Sequence, residues 1–70
     1  MTDLTTELTP RETQCLTRIM KGETNKMIGN GLGITEATVK VHLRGLFAKL
    51  RVSNRTEAAI WWVKNGSPQA

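Results

Sequence analysis

The chain has 70 residues, of which 39% are hydrophobic and 23% charged, and its formal net charge is +4. This length fits one small domain with a modest core, and the apolar content is too high for a disordered tail. The single cysteine excludes a disulfide framework, and one cysteine with one histidine excludes a structural zinc site. With a single cysteine, a reducing compartment is the expectation. No apolar run approaches the roughly 18 residues of a membrane span, and no signal peptide is visible.

Capping and turn signals predict an all-α, four-helix bundle-like domain, with helices over residues 10–21, 25–32, 35–50 and 54–65. Thr9, Pro10 and Glu12 begin the first helix with a capping box and a proline in its first turn. Lys21 and Gly22 are predicted to end it with a cation and a left-handed glycine. An apolar stripe between these ends is predicted to face the core, and it comprises Cys15, Leu16, Ile19 and Met20.

The second helix is short and rich in glycine. Thr24 is its predicted cap, and Gly33 is its predicted left-handed stop. Gly29 and Gly31 each cost the helix about 1 kcal/mol relative to alanine. We therefore expect this helix to depend on tertiary packing, and we expect the glycine at 29 to let another helix approach closely.

Two different stripes run along the third helix, which Thr35 caps. The predicted core stripe recurs at helical spacing and comprises Val39, Leu43, Leu46, Phe47 and Leu50. The opposite stripe places short apolar side chains between cations and comprises Ala37, Lys40, Val41, Arg44 and Ala48. The segment 37–56 has no acidic residue and five cations, namely Lys40, Arg44, Lys49, Arg51 and Arg55. A short helix, a glycine turn and a longer helix with a basic outer face are typical of a helix-turn-helix, whose outer face suits the DNA major groove.

The fourth helix, capped by Ser53 or Asn54, contains six consecutive apolar residues over 58–63 and is apolar all the way round. A domain this small covers one side of a terminal helix more easily than both. One interpretation is that both indoles fold back onto the first helix. The other is a dimer surface, formed by Ala59, Trp61, Trp62 and Val63. The sequence leaves open which tryptophan faces outward.

Six motifs in order closely resemble the LuxR-type (NarL/FixJ-type) helix-turn-helix domain, especially that of NarL-type bacterial response regulators. They are Leu8–Glu12, Asn25–Ile28, Leu32–Thr35, Thr38–Leu43, Phe47–Leu50 and Val52–Ala58. The resemblance covers about residues 7–66. The chain departs from the usual pattern at Gly29, where alanine is common, and at Gly31, where a polar residue is common. The domain is therefore assigned to residues 9–66, with an N-terminal extension or linker remnant at 1–8 and a frayed tail at 67–70.

The resemblance implies a cytoplasmic effector domain that binds double-stranded DNA in bacterial transcription regulation, without cofactor or metal. The third helix would enter the major groove, where Lys40, Val41 and Arg44 would meet base edges. Phosphate contacts would come from Asn25, Lys26, Thr35, Thr38 and Arg55. The fourth helix would contribute to a homodimer on DNA, and contact with RNA polymerase is left open. Relatives usually carry a phosphorylation or ligand-binding domain ahead of this one.

Two other classes of binding module share some of these features. A sigma-factor region-four domain has a similar helix-turn-helix, but the Thr9–Glu12 opening and the Val52–Ala58 junction favour the LuxR type. A protein-interaction module that uses the fourth helix, with DNA binding secondary, fits less well with the intact basic stripe. No catalytic residue is predicted, because the chain lacks paired carboxylates on one face, a nucleophile–base arrangement and a glycine-rich phosphate loop.

Overall fold

The computed structural model describes residues 8–65, which form four helices. They are α1 (Pro10–Met20), α2 (Asn25–Leu32), α3 (Glu36–Leu50) and α4 (Arg55–Asn65). The four predicted helices are confirmed to within one residue at each end, and the described range contains no strand, so the all-α class is confirmed. The predicted tail and the predicted extension up to residue 7 lie outside the described residues.

Each helix begins at a side-chain cap that the sequence predicted. In α1 the Thr9 hydroxyl accepts from the Glu12 N–H at 3.1 Å, and the Glu12 carboxylate accepts from the Thr9 N–H at 2.9 Å. Thr24 and Thr35 accept hydrogen bonds from backbone N–H groups in the first turns of α2 and α3. Of the two predicted caps of α4, Asn54 accepts from the first turn of the helix. These caps satisfy N–H groups that have no partner inside their helix.

The helix ends use left-handed backbone. Gly22 follows the Lys21 cap of α1 with φ 81°, and Gly33 ends α2 with φ 72°, as the sequence predicted. Arg51 ends α3 with φ 59°, a conformation that costs a side-chain-bearing residue about 1–2 kcal/mol. Its N–H donates to carbonyl groups in the last turn of α3, which gives this sharp exit a hydrogen-bonded end.

The central helix is α3, because it supplies more of the buried hydrophobic core than any other helix. The buried hydrophobic residues are Cys15, Leu16, Ile19, Ile28, Val39, Leu43, Leu46, Leu50 and Ala58. Both α1 and α2 pack against α3, and α4 packs against α1 and α3. The other side of α3 is left at the surface. None of the helices in 8–65 combines the length and apolar character needed to cross a bilayer.

The turn between α2 and α3 depends on Gly29. A Cβ on this residue would stand 2.7 Å from the backbone oxygen of Ile34, which lies in the turn itself. The Ile34 N–H donates to the Gly29 carbonyl at 2.9 Å. Gly29 thus makes room first for the connection, and the backbone nitrogen of Glu36 at the start of α3 lies 3.5 Å from the same Cβ position, so the glycine also lets the start of α3 come close.

Candidate nucleic-acid interface

The outer face of α3 is exposed along the predicted stripe. Lys40, Val41 and Arg44 are all exposed, and Val41 leaves 64% of its surface uncovered. Val39 and Leu43, on the opposite side, are buried. This helix therefore presents two cations beside an uncovered valine, while its apolar stripe anchors it in the core.

The beginning of α3 carries two threonine hydroxyls close together. The Thr35 hydroxyl accepts from the Thr38 N–H at 3.1 Å, and the two hydroxyl oxygens are 3.0 Å apart. Thr35 is exposed and Thr38 is half-buried. Hydroxyl groups at a helix N-terminus are common partners of phosphate oxygens.

The beginning of α2 lies beside the outer face of α3. Asn25 is half-buried and lines a shallow depression. The other residues that line this depression are Lys40, Leu43, Arg44 and Phe47. Lys26, the next residue, is exposed. The fold thus brings a predicted phosphate contact, Asn25, to the same surface as two predicted base contacts.

Arg55, at the start of α4, is half-buried and has partners inside the domain. Its Nη1 donates to the Asn25 Oδ1 at 2.9 Å, and its Nη2 donates to the backbone oxygen of Glu23. The sequence predicted Arg55 as a phosphate contact, and its link to Asn25 was not predicted. No local pattern could reveal that link, because 30 residues separate the two.

Lys49 is directed to a carboxylate rather than to the outer face. Its Nζ donates to the Glu12 Oε1 at 2.7 Å, and the side chain of Glu12 is only 8% exposed. Burial alone would raise the pKa of Glu12, but the hydrogen bonds from Lys49 and Thr9 outweigh it and hold the pKa below its ordinary value. Gly45 makes room for this carboxylate, since a Cβ there would stand 2.8 Å from the Glu12 Oε2. The sequence offered no reason for a glycine at this position.

The exposed face of α4 differs from the predicted dimer surface. Trp61 and Trp62 are both half-buried and pack against the core. Ile60 and Val63 are the exposed large apolar residues of this helix, at 49% and 77%. We define the α4 patch as the shallow apolar depression lined by Thr56, Ala59, Ile60, Val63 and Lys64. It contains the predicted Ala59 and Val63, and it adds Ile60.

Cys15 takes no part in either surface. It is fully buried in the core, as its place on the apolar stripe of α1 predicted, and burial raises the pKa of its thiol. A buried, protonated thiol is a small apolar core group.

Residues 6–62 match the family described as bacterial regulatory proteins, luxR family. The chain is 49% identical over 55 residues to the nitrate/nitrite response regulator protein NarL of Escherichia coli K12, covering 79% of this chain and 26% of that protein. It is 48% identical over 58 residues to the transcriptional regulatory protein LiaR of Bacillus subtilis, covering 83% and 28%. It is also 42% identical over 59 residues to the transcriptional regulatory protein DegU of Brevibacillus brevis, covering 84% and 25%.

The chain spans about a quarter of the length of these curated relatives. The family match extends over most of the chain and includes all four caps, the turn at Gly33 and the exposed stripe of α3. The chain therefore belongs to the luxR family of bacterial regulatory proteins and has its helix-turn-helix domain.

Proposed function

We propose that this chain binds double-stranded DNA with sequence specificity in bacterial transcription regulation, with α3 in the major groove. The observation that carries the proposal is the exposed stripe of Lys40, Val41 and Arg44 on a helix whose other side is fixed in the core. Lysine and arginine donate to the O6 and N7 acceptors of guanine, and an exposed valine packs on the methyl group of thymine. The stripe thus offers three side chains that can read base edges.

Contacts to the phosphate backbone are proposed for the starts of α2 and α3. Asn25 borders the depression beside Lys40, so a DNA strand that follows this depression passes the start of α2, where the next residue, Lys26, is exposed. Thr35 and Thr38 offer two hydroxyls at the start of α3. Such contacts fix the orientation of the domain on the duplex but carry no sequence information.

We propose that the domain binds as a homodimer through the α4 patch. Two copies related by a twofold axis would read two half-sites about one helical turn of DNA apart. Ile60 and Val63 support this, because exposed aliphatic side chains next to each other on a small domain favour a second apolar surface. The patch belongs to α4, so it leaves the outer face of α3 uncovered.

Selection from random duplexes, followed by footprinting, tests the proposal directly. An inverted repeat protected on two half-sites is the expected winner. On that duplex Arg44→Ala should weaken binding by about 1–3 kcal/mol and relax the preference at one position. Lys26→Ala should weaken specific and random duplexes alike, and it should lower the slope of log affinity against log salt by about one.

A matched control is Lys21→Ala, because Lys21 is also exposed but lines a different depression, on α1 and α2. This variant should change neither the sequence preference nor the salt slope. Equal losses on specific and random duplexes for Arg44→Ala would contradict the assignment of base contact. Binding that does not weaken with salt would favour the protein-interaction module instead, because phosphate contacts are lost steeply as salt rises.

A further inference from the structure

Two arginines from different helices hold the loop that leads into α2. The Arg18 Nη1, from α1, donates to the carboxylate of Glu23 at 3.1 Å. Arg55, from α4, donates to the backbone oxygen of Glu23 and to the Oδ1 of Asn25. The first residue of α2 is therefore held by a side chain that comes from the beginning of α4.

The hydrogen bond from Arg55 selects the orientation of the Asn25 amide. A guanidinium has donors only, so the amide must turn its oxygen toward Arg55. The nitrogen of the same planar amide then lies on the side away from the Arg55 donor. A phosphate oxygen only accepts hydrogen bonds, so the side chain of Asn25 can donate to a phosphate only through that nitrogen. The contact with Arg55 thus leaves the amide nitrogen of Asn25 free to donate to a DNA phosphate.

We infer that Arg55 is a positioning residue that acts on DNA through Asn25, rather than a direct phosphate contact. This inference rests on the proposed function and deepens it. Both Nη atoms of Arg55 are engaged inside the domain, and its side chain is half-buried. Asn25 lines the depression beside Lys40 and Arg44, so its amide borders the proposed DNA surface.

A double-mutant cycle on the duplex from the selection tests this inference. Arg55→Lys keeps the charge but loses the paired donors, and Asn25→Ala removes the amide. Each single variant should weaken binding by on the order of tenfold, the factor expected for one hydrogen bond to a charged group. The double variant should bind no more weakly than Asn25→Ala alone, because the effect of Arg55 passes through Asn25.

A second pair of variants keeps the test decisive if Arg55→Lys unfolds. Asn25→Asp retains a side-chain oxygen for Arg55 but has no side-chain N–H for a phosphate, so it should stay folded and bind more weakly. Asn30→Asp is the matched control, since it makes the same charge change at an exposed position of α2. We expect Asn25→Asp to lose affinity by about tenfold more than Asn30→Asp, while circular dichroism shows helix in both.

The outcomes separate this inference from the proposed function. If the losses from Arg55→Lys and Asn25→Ala multiply, Arg55 acts independently of Asn25 and the inference is overturned. It is also overturned if Arg55→Gln lowers the salt slope by about one while Arg55→Lys leaves it unchanged, because that pattern identifies a direct phosphate contact. Failure of the proposed function itself would appear in the unmodified domain, as an absence of salt-dependent binding to any duplex.

Discussion

The free energy that two copies gain by pairing through the α4 patch follows from the exposed fractions of its apolar side chains. Complete burial of a valine or isoleucine side chain contributes about 1.5–3 kcal/mol. Val63 is 77% exposed and Ile60 is 49% exposed, so covering both contributes about 2–4 kcal/mol in each copy. Two copies related by a twofold axis together gain about 4–8 kcal/mol from these residues.

Association of two proteins costs an estimated 4–15 kcal/mol in lost translational and rotational freedom at the 1 M standard state. The gain from the patch is of the same size or smaller, so the free domain should be monomeric at micromolar concentration. Adjacent half-sites change this balance, because they raise the effective concentration of one copy near the other to about the millimolar range. We therefore expect a monomer in solution and cooperative binding to two half-sites.

Val63→Glu tests this reasoning, because it puts like charges together where two copies would meet. Cooperativity on a duplex with two half-sites should fall by at least about tenfold, while affinity for a single half-site stays unchanged. Gln14→Glu is the control, since it adds the same charge at an exposed position of α1. Sedimentation of the free domain and calorimetry on one-site and two-site duplexes make the comparison. Unchanged cooperativity in Val63→Glu, or a stable dimer of the free domain that this variant leaves intact, would refute the reasoning.

Three further predictions concern stability. The pKa of Glu12 is lower in the folded domain than in the unfolded chain. Its pair with Lys49 therefore contributes its full stabilisation above the ordinary glutamate pKa of about 4.3, and this stabilisation is lost as the pH falls through the pKa of the folded state. Glu12→Gln should therefore lose about 1–2 kcal/mol at pH 7 and show a flatter acid limb in urea unfolding between pH 7 and pH 3. Gly45→Ala should leave the free energy of unfolding nearly unchanged, because the helix gains about 1 kcal/mol while the Glu12 carboxylate must shift. In a variant that already carries Glu12→Ala, the same substitution should show the full gain in thermal unfolding. Gly31→Ala should raise the unfolding free energy by less than about 1 kcal/mol, because its Cβ displaces the Arg18 Nη1 that pairs with Glu23; beside Arg18→Ala the full gain should appear, and a loss there would contradict this.

The helices and their caps could be predicted because the signals that specify them are local. A capping threonine and its backbone partner are three residues apart, as at Thr9 and Glu12, and a left-handed stop is marked by one residue, as at Gly33. The outer stripe of α3 follows from the period of its core stripe. These features need no knowledge of which helix packs against which.

Other features of the candidate site depend on pairs that are far apart in the chain. The Glu12–Lys49 pair spans 37 residues and the Arg55–Asn25 pair spans 30, so neither leaves a periodic signal. The sequence also could not predict which face of α4 is exposed. An unbroken apolar run gives no contrast between two faces, and the packing of Ala58, Trp61 and Trp62 against the core decides that Ile60 points outward.

These long-range pairs also change how the basic segment should act on DNA. Residues 37–56 contain five cations. Two of them have partners inside the domain, because Lys49 pairs with Glu12 and Arg55 donates to Asn25 and Glu23. The exposed cations in that segment are Lys40, Arg44 and Arg51, to which the start of α2 adds Lys26. With a slope of about −0.9 for each phosphate neutralised, Lys26 and Arg51 together give a dependence of log affinity on log salt of about −1.8 for one copy, and all four cations give at most about −3.6. A steeper slope on a single half-site, unchanged by Lys21→Ala and Lys64→Ala, would mean that the paired cations leave their carboxylate and carbonyl partners when DNA binds.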